Sequence, residues 1–218
     1  MVIRKSCQLS AVSCQLKNKR ILITAGPTWV AIDSVRVISN IATGETGVLL
    51  AEKLSELGAK VTLVLGPVGA CCLNRKIKLI KFKFFDELKD KVIQELKAKK
   101  IDIIIHSAAV SDFKPKQKNK GKLASNKKHN LVLTPLPKIV RQMRCLAPRA
   151  KLVMFKLESG LSKASLIQRA SVARKKINAD IIVANMINPY RAFILNKSKI
   201  ISAKTKIEMV NKLIGEVS

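Results

Sequence analysis

A chain of 218 residues with 42 Lys plus Arg against 14 Asp plus Glu has a formal net charge of +28. Its 48% apolar and 26% charged content is that of a chain with a buried core, which excludes disorder for its bulk. No apolar run approaches the roughly 20 residues that span a bilayer, so a membrane partner is not expected. The cysteines at 7, 14, 71, 72 and 145 form no C-x-x-C pair, which indicates neither a disulfide framework nor a zinc site and fits a reducing cytoplasm.

Residues 1–18 are expected to be a leader without structure, because Ser6, Gln8, Ser10, Ser13 and Gln15 break up any apolar stretch. A weak organellar transit signal is the alternative. Residues 19–218 then form one domain. Arg20–Ala25 is a β-branched and leucine run closed by Gly26-Pro27, a strand and its turn. Residues 44–57 carry apolar positions at helical spacing, and Gly58 stops them. Lys60–Leu65 is a second strand, ended by Gly66-Pro67, and 76–82 a third. Asp86 suits the N-cap of a helix reaching about Lys99. Residues 101–106 are apolar on both faces, as a parallel sheet covered by helices requires.

A basic loop, 114–130, precedes a short strand at 131–133, and Pro137 starts a helix to about Cys145. Strand 151–155, helix 161–177 and strand 180–184 follow. The chain ends in a hairpin, 192–195 with 200–202, and a helix from Lys204. This alternation predicts an α/β fold: a three-layer, Rossmann-like, open and mostly parallel sheet with a short C-terminal hairpin. Ligands of such sheets sit outside the carboxyl ends of the strands.

The positive charge is spread along the whole chain, is mostly lysine, and comes with only 4% aromatic residues. That pattern describes a solvated surface better than a nucleic-acid groove, which needs arginine forks and stacking platforms. No specific nucleic-acid partner is expected, although a basic nucleotide- or nucleic-acid-binding module remains the second alternative reading.

Thr43-Gly44-Glu45-Thr46-Gly47 opens a helix, either as an anion site or as a plain flexible cap. It is neither a dinucleotide fingerprint nor a P-loop. Asp33, Arg36 and Asn40 lie in a loop too long for a tight turn. There Arg36 could bind a phosphate or carboxylate through two N–H groups and Asn40 could donate to a developing oxyanion. Asp112 ends a strand-loop, His106 reads as a satisfied core histidine, and the lysines between 114 and 128 read as a flap or a solvated loop.

The segments Ile21–Thr28, Ile32–Asn40, Thr43–Gly47, Ser107–Asp112, Phe155–Glu158 and Ile182–Asn185 together closely resemble the phosphopantothenate-cysteine ligases, also called phosphopantothenoylcysteine synthetases. The resemblance covers about residues 19–215, and without a flavin-dependent decarboxylase half the chain looks like the stand-alone form. It implies a homodimeric enzyme of coenzyme A synthesis with shared active sites. Such an enzyme activates the carboxylate of 4′-phosphopantothenate with CTP, or ATP, and Mg²⁺. Pyrophosphate leaves, and the cysteine amine displaces the nucleoside monophosphate from an acyl-nucleotidyl intermediate.

By this resemblance Asn40 contacts phosphopantothenate and assists amide formation, and Arg36 reaches the substrate phosphate in the neighbouring subunit. Ala108, Ala109 and Asp112 line the same region. Gly26, Ala42, Gly44, Gly47, Phe155 and Asn185 match nucleotide-contacting positions, and Lys122 matches the flap lysine that bears on the nucleotide. Lys176 is the nearest match to a lysine of the later helix. Ala42 stands where some relatives have serine, and Ala124 and Ser125 where CTP users often have lysines, so CTP and ATP both stay open. The first alternative, an NAD(P)-dependent oxidoreductase of the short-chain type, needs Tyr-x-x-x-Lys, whereas Tyr190 is followed at that spacing by Ile194.

Overall fold

The computed structural model describes residues 12–69 and 73–218. Its main sheet has eight strands. In chain order the elements are β1 (Arg20–Ala25), β2 (Trp29–Ala31), β3 (Val37–Ser39), α1 (Glu45–Glu56), β4 (Lys60–Leu65), β5 (Lys78–Lys81), α2 (Phe85–Ala98) and β6 (Ile103–His106). Then come β7 (Phe113–Pro115), β8 (Leu133–Pro135), α3 (Ile139–Leu146), β9 (Lys151–Leu157), α4 (Lys163–Ile177) and β10 (Ile181–Met186). The chain closes with β11 (Arg191–Leu195), β12 (Ile200–Ala203) and α5 (Lys206–Val217).

The sheet order is β12-β11-β10-β9-β6-β1-β4-β5. The six strands from β5 to β10 run parallel, and the hairpin pairs antiparallel at one edge. After β1 the chain moves outward to β4 and β5, then returns to lay β6 on the other side of β1. The strand order therefore reverses between β1 and β6, and a crevice opens there at their carboxyl ends.

Alternation along the strands sends odd and even residues into different cores. Ile21, Ile23, Leu63, Ile105, Val153 and Val183 pack under α1 (Leu50, Leu54) and α5 (Val210, Leu213). On the other face Leu22, Val64, Ile104 and Leu152 meet α2 (Leu88, Val92) and α3 (Val140, Met143), while α4 covers Ile182 and Ala184 through Leu166 and Ala170. The expected three layers are present. Each fully buried leucine on these helices contributes about 2 kcal/mol of transfer free energy, so the layers are fixed mainly by this burial.

Several boundaries shift from the expectation by a few residues, and three of the differences have a clear physical reason. The N-cap of α2 is Phe84, not Asp86, because Phe85 is buried in the second core and Glu87 already accepts the Lys83 N–H at 2.9 Å. Strand β8 starts at Leu133, where the residues expected in a strand end. Residues 12–16 of the expected leader are helical, with Leu16 fully buried in the first core. Residues 17–18 of that leader form a turn, and residues 1–11 lie outside the described residues, as do Cys7, Cys71 and Cys72.

Two small hairpins, β2-β3 and β7-β8, were not foreseen. They stand beside the β1-β6 crevice, β2 next to β7. Trp29 fixes the first of them edge-on against Phe84, ring centroids 6.1 Å apart. Among the described residues no helix is long and apolar enough to cross a membrane.

Candidate active site at the β1-β6 crevice

The turn after β1 and the loop after β6 are zipped together. Ala109 donates its N–H to Gly26 O at 2.9 Å, and Thr28 N–H returns to Ala109 O at 3.3 Å. Buried Thr28 and Ser111 join through their hydroxyls at 3.0 Å, and the Ser107 hydroxyl donates to Thr24 O at 2.8 Å. Small residues at 107–109 allow this approach, and it holds the crevice walls rigid.

Gly26 and Gly44 both have left-handed φ values, 79° and 73°. A β-carbon on Gly44 would lie 3.3 Å from Gly26 N, and one on Gly66 would lie 2.3 Å from Pro27 O. The three glycines thus let the turns after β1 and β4 crowd against the N-terminus of α1. Gly44 caps that helix without a side-chain bond, which leaves its end open to an anion. Gly47 lets the first turn sit directly on β1: its added β-carbon would meet Ala25 Cβ at 2.3 Å. Gly66 was read from sequence only as a strand stop; a Gly-Pro pair at a strand's carboxyl end was the available signal. Ala42 lies in the loop that joins β3 to this helix end.

Phe155 and Asn185 project on the α1 face of the sheet near the ends of β9 and β10, since each follows by two a residue of the first core, Val153 and Val183. Tyr190 packs on the same core, and Glu45 joins Lys206 of α5 across the rim. Lys176 is displaced from this group: it lies in the last turn of α4, just before β10 begins. A crossover helix returns the chain to the amino ends of the strands, so its final turn is at the opposite rim. The nucleotide-side assignment of Lys176 is therefore withdrawn.

Asn40 follows β3 at the base of its hairpin. Its amide donates to Ala109 O at 3.1 Å and Val110 O at 3.2 Å. The expected donation to an oxyanion is thereby pre-empted, because both amide hydrogens are spent on carbonyls of the β6 loop. What Asn40 offers the crevice is its Oδ1, an acceptor. Ala108 packs toward the second core, and Asp112 pairs with Lys138 while its carbonyl accepts from Leu136 N at 2.8 Å.

Arg36 stands at the other end of β3, four residues from Asn40, which separates their backbones by roughly 13 Å of extended chain. Its guanidinium Nη1 donates to Asp33 Oδ2 at 2.6 Å and to Leu123 O at 3.2 Å. Lys122 is the neighbour of that flap residue; its side chain is exposed.

His106 closes β6 with Nδ1 2.8 Å from the Thr24 hydroxyl, and burial pushes its pKa down to about 4. The folded ring stays neutral where the unfolded chain would take up a proton. Stability from this site is full above the unfolded pKa near 6.5 and is lost as pH falls toward 4, by up to about 3 kcal/mol. Thermal melts at pH 7, 5.5 and 4.5 should follow that fall, and His106→Gln should flatten it; an unchanged slope in the variant would refute the assignment.

Two cavities of about 820 and 780 Å³ open at the opposite rim, both lined by Lys99 and Ile101. Lysines there serve the helix ends: Lys151 Nζ donates to Val217 O at 3.0 Å, the favourable sign for a helix C-terminus. The polar chemistry lies at the other rim, around Gly26, Gly44 and Asn40.

Residues 16–213 match the family model described as the DNA/pantothenate metabolism flavoprotein C-terminal domain. The chain is 37% identical over 177 residues, 80% of its length, to the coenzyme A biosynthesis bifunctional protein CoaBC of Thermococcus kodakarensis. It spans only 43% of that relative's length. Among solved structures, the DNA/pantothenate metabolism flavoprotein of Streptococcus pneumoniae superposes with a TM-score of 0.83 at 26% identity, covering 91% of this chain and 98% of that one. A Cab2 mutant in complex with phosphopantothenate-cysteine shares the fold at 18% identity, with a TM-score of 0.77 over 99% of this chain and 91% of that one.

Proposed function

Because the chain belongs to the family of DNA/pantothenate metabolism flavoprotein C-terminal domains, we propose that it joins 4′-phosphopantothenate to L-cysteine, with CTP as the preferred co-substrate. The observation that carries this reading is the single crevice that unites the open α1 N-terminus, between Gly44 and Gly47, with Asn40 locked on the β6 loop. An acid and its triphosphate donor would meet there. The pantothenate carboxylate attacks the α-phosphorus and pyrophosphate leaves with its electron pair. The cysteine amine then attacks the acyl carbon and expels the nucleoside monophosphate.

In this scheme the positive end of α1 binds the phosphates, and Phe155 and Asn185 border the nucleoside. Asn40 Oδ1 accepts an N–H of the incoming amine and aims its lone pair at the acyl carbon, a gain through orientation. Arg36 keeps N–H groups beyond its Asp33 bond for the substrate phosphate. Ala109 and Asp112 border the pantothenate arm.

Among the described residues no three or more His, Cys, Asp or Glu side chains gather as a metal cage. Mg²⁺ is commonly carried on triphosphate oxygens and water rather than in an all-protein cage. When bound it would offset the negative charge of the leaving pyrophosphate.

A second copy of the chain fits the two hairpins. Val35 is 67% exposed, Val132 64% and Phe113 51%, and Leu133 lies on the same hairpin pair. Apolar side chains clustered so on adjoining hairpins are characteristic of an interface. We infer a homodimer whose contact runs along this face and brings Arg36 of one copy toward the other's crevice. The oxidoreductase alternative loses support, since Ile194, where a catalytic lysine would stand, is buried in the core.

The direct assay is pyrophosphate release with phosphopantothenate and cysteine under each of the four nucleoside triphosphates. Release that needs the pantothenate acid, fastest with CTP, is expected; none with any nucleotide would sink the ligase reading. Lys122→Gln, run in the same assay, should raise the KM for the nucleotide about fivefold to tenfold by removing one phosphate-directed charge. A larger rise in the KM for cysteine would contradict the flap's role.

A further inference from the structure

Asp33 is 2% exposed, yet its carboxylate is saturated with donors. Oδ1 accepts the N–H groups of Val35 at 2.8 Å and Arg36 at 2.7 Å, which folds the tip of the β2-β3 hairpin. Oδ2 accepts Arg36 Nη1 at 2.6 Å and, from ninety residues away, Leu123 N–H at 3.0 Å. The same Arg36 nitrogen donates to Leu123 O. Both backbone polar groups of one flap residue, Leu123, are thus gripped by the Asp33–Arg36 pair. Asn119 N–H adds a bond to Ile32 O at 3.3 Å.

We propose that Asp33 is a positioning residue that clasps the flap to the hairpin, so that Lys122 and Arg36, the phosphate-directed cations of the ligase reading, are set by one buried carboxylate. This rests on that reading for its catalytic consequence but not for the clasp itself. The backbone N–H of Leu123, then that of Val35, hold the carboxyl well below the usual carboxylate range against the opposing effect of burial. Asp33 therefore remains charged throughout the working pH range, and the clasp acts as a fixed joint. Lys122 stands next to the gripped residue, on an otherwise exposed loop of lysines. Without the clasp that ammonium would sample the whole loop's motion, and binding a triphosphate would have to order it.

The test uses the full chain and two variants. Asp33→Asn keeps an oxygen for the hairpin turn but loses the charge that holds Leu123 and Arg36. Leu123→Pro removes the flap's donor, while also fixing the backbone at 123 and restricting it at Lys122, and leaves the Asp33–Arg36 pair whole. Hydrogen exchange of peptides over residues 116–130, measured without ligands, should speed up about tenfold in both variants. The KM for nucleotide should rise at least about fivefold while that for cysteine stays within about twofold. Unchanged exchange in Leu123→Pro overturns the clasp, whatever Asp33→Asn does to folding. Faster exchange with both KM values unmoved overturns the positioning role. Lys122→Gln should leave exchange at the wild-type rate, and acceleration there would also count against the clasp. If wild-type protein releases no pyrophosphate, the ligase reading fails, and the exchange rates still decide the clasp.

Discussion

Asn40→Ala is expected to cut steady-state amide formation by about a hundredfold to a thousandfold, the range seen when one preorganised polar group is removed from a reacting centre. Two losses combine. The amide no longer ties the end of β3 to the carbonyls of Ala109 and Val110, so the hairpin base loosens against the β6 loop. The Oδ1 acceptor also disappears from the crevice, and the cysteine amine loses the group that would orient it. Activation of the acid needs neither of these directly, so a first turnover of pyrophosphate should persist while the acyl-nucleotidyl species builds up. Rapid-quench analysis with radiolabelled nucleotide would detect it. Turnover at the wild-type rate would refute the role given to Asn40, whereas loss of the pyrophosphate burst as well would move that role to the activation step.

How far such a site can be read from sequence depends on the range of the interactions that build it. Strands β1 and β4 are β-branched and leucine-rich runs closed by Gly-Pro pairs, and both match the expected residues to the position. The doubly covered sheet followed from residues 101–106, because only parallel strands with helices on both faces stay apolar on both sides. Asp86 was misread as a cap because the rule weighs a side chain's hydrogen bonding locally, whereas Phe85 is drawn into a core built by residues far along the chain. Lys176 was misplaced because a family match carries no record of which end of a crossover helix faces the ligand.

The hairpins escaped notice for a different reason. Three-residue strands such as Val37–Ser39 are too short for a period of two to emerge. Their stability comes from contacts that local patterns do not contain: Trp29 on Phe84, Asp33 on Leu123 and Asn40 on Ala109. Asp33, Arg36 and Asn40 were visible as polar residues in a long loop. Their division into a clasp, a phosphate-directed cation and a crevice acceptor depended on partners dozens of residues away.

Mixing Arg36→Ala subunits with Asn40→Ala subunits should restore activity to about a quarter of wild type, although each variant alone is nearly inactive. The expectation follows from the geometry of the hairpin. Arg36 and Asn40 sit at opposite ends of β3, Arg36 among the exposed apolar residues Val35 and Val37, and Asn40 against the crevice wall. If that apolar face is the contact between two copies, each site takes Asn40 from one subunit and Arg36 from its partner. After random exchange at equal concentrations about half the dimers are mixed, and in each mixed dimer one site carries both lesions and the other none. One intact site in half of the dimers is one quarter of the sites. The measurement is amide formation after denaturation and joint refolding, with separately refolded and then pooled variants as the control. Activity that stays at the sum of the two variants would mean that each subunit uses its own Arg36. A protein that sediments as a monomer at assay concentrations would remove the shared site altogether, and the exposed valines would then need another occupant.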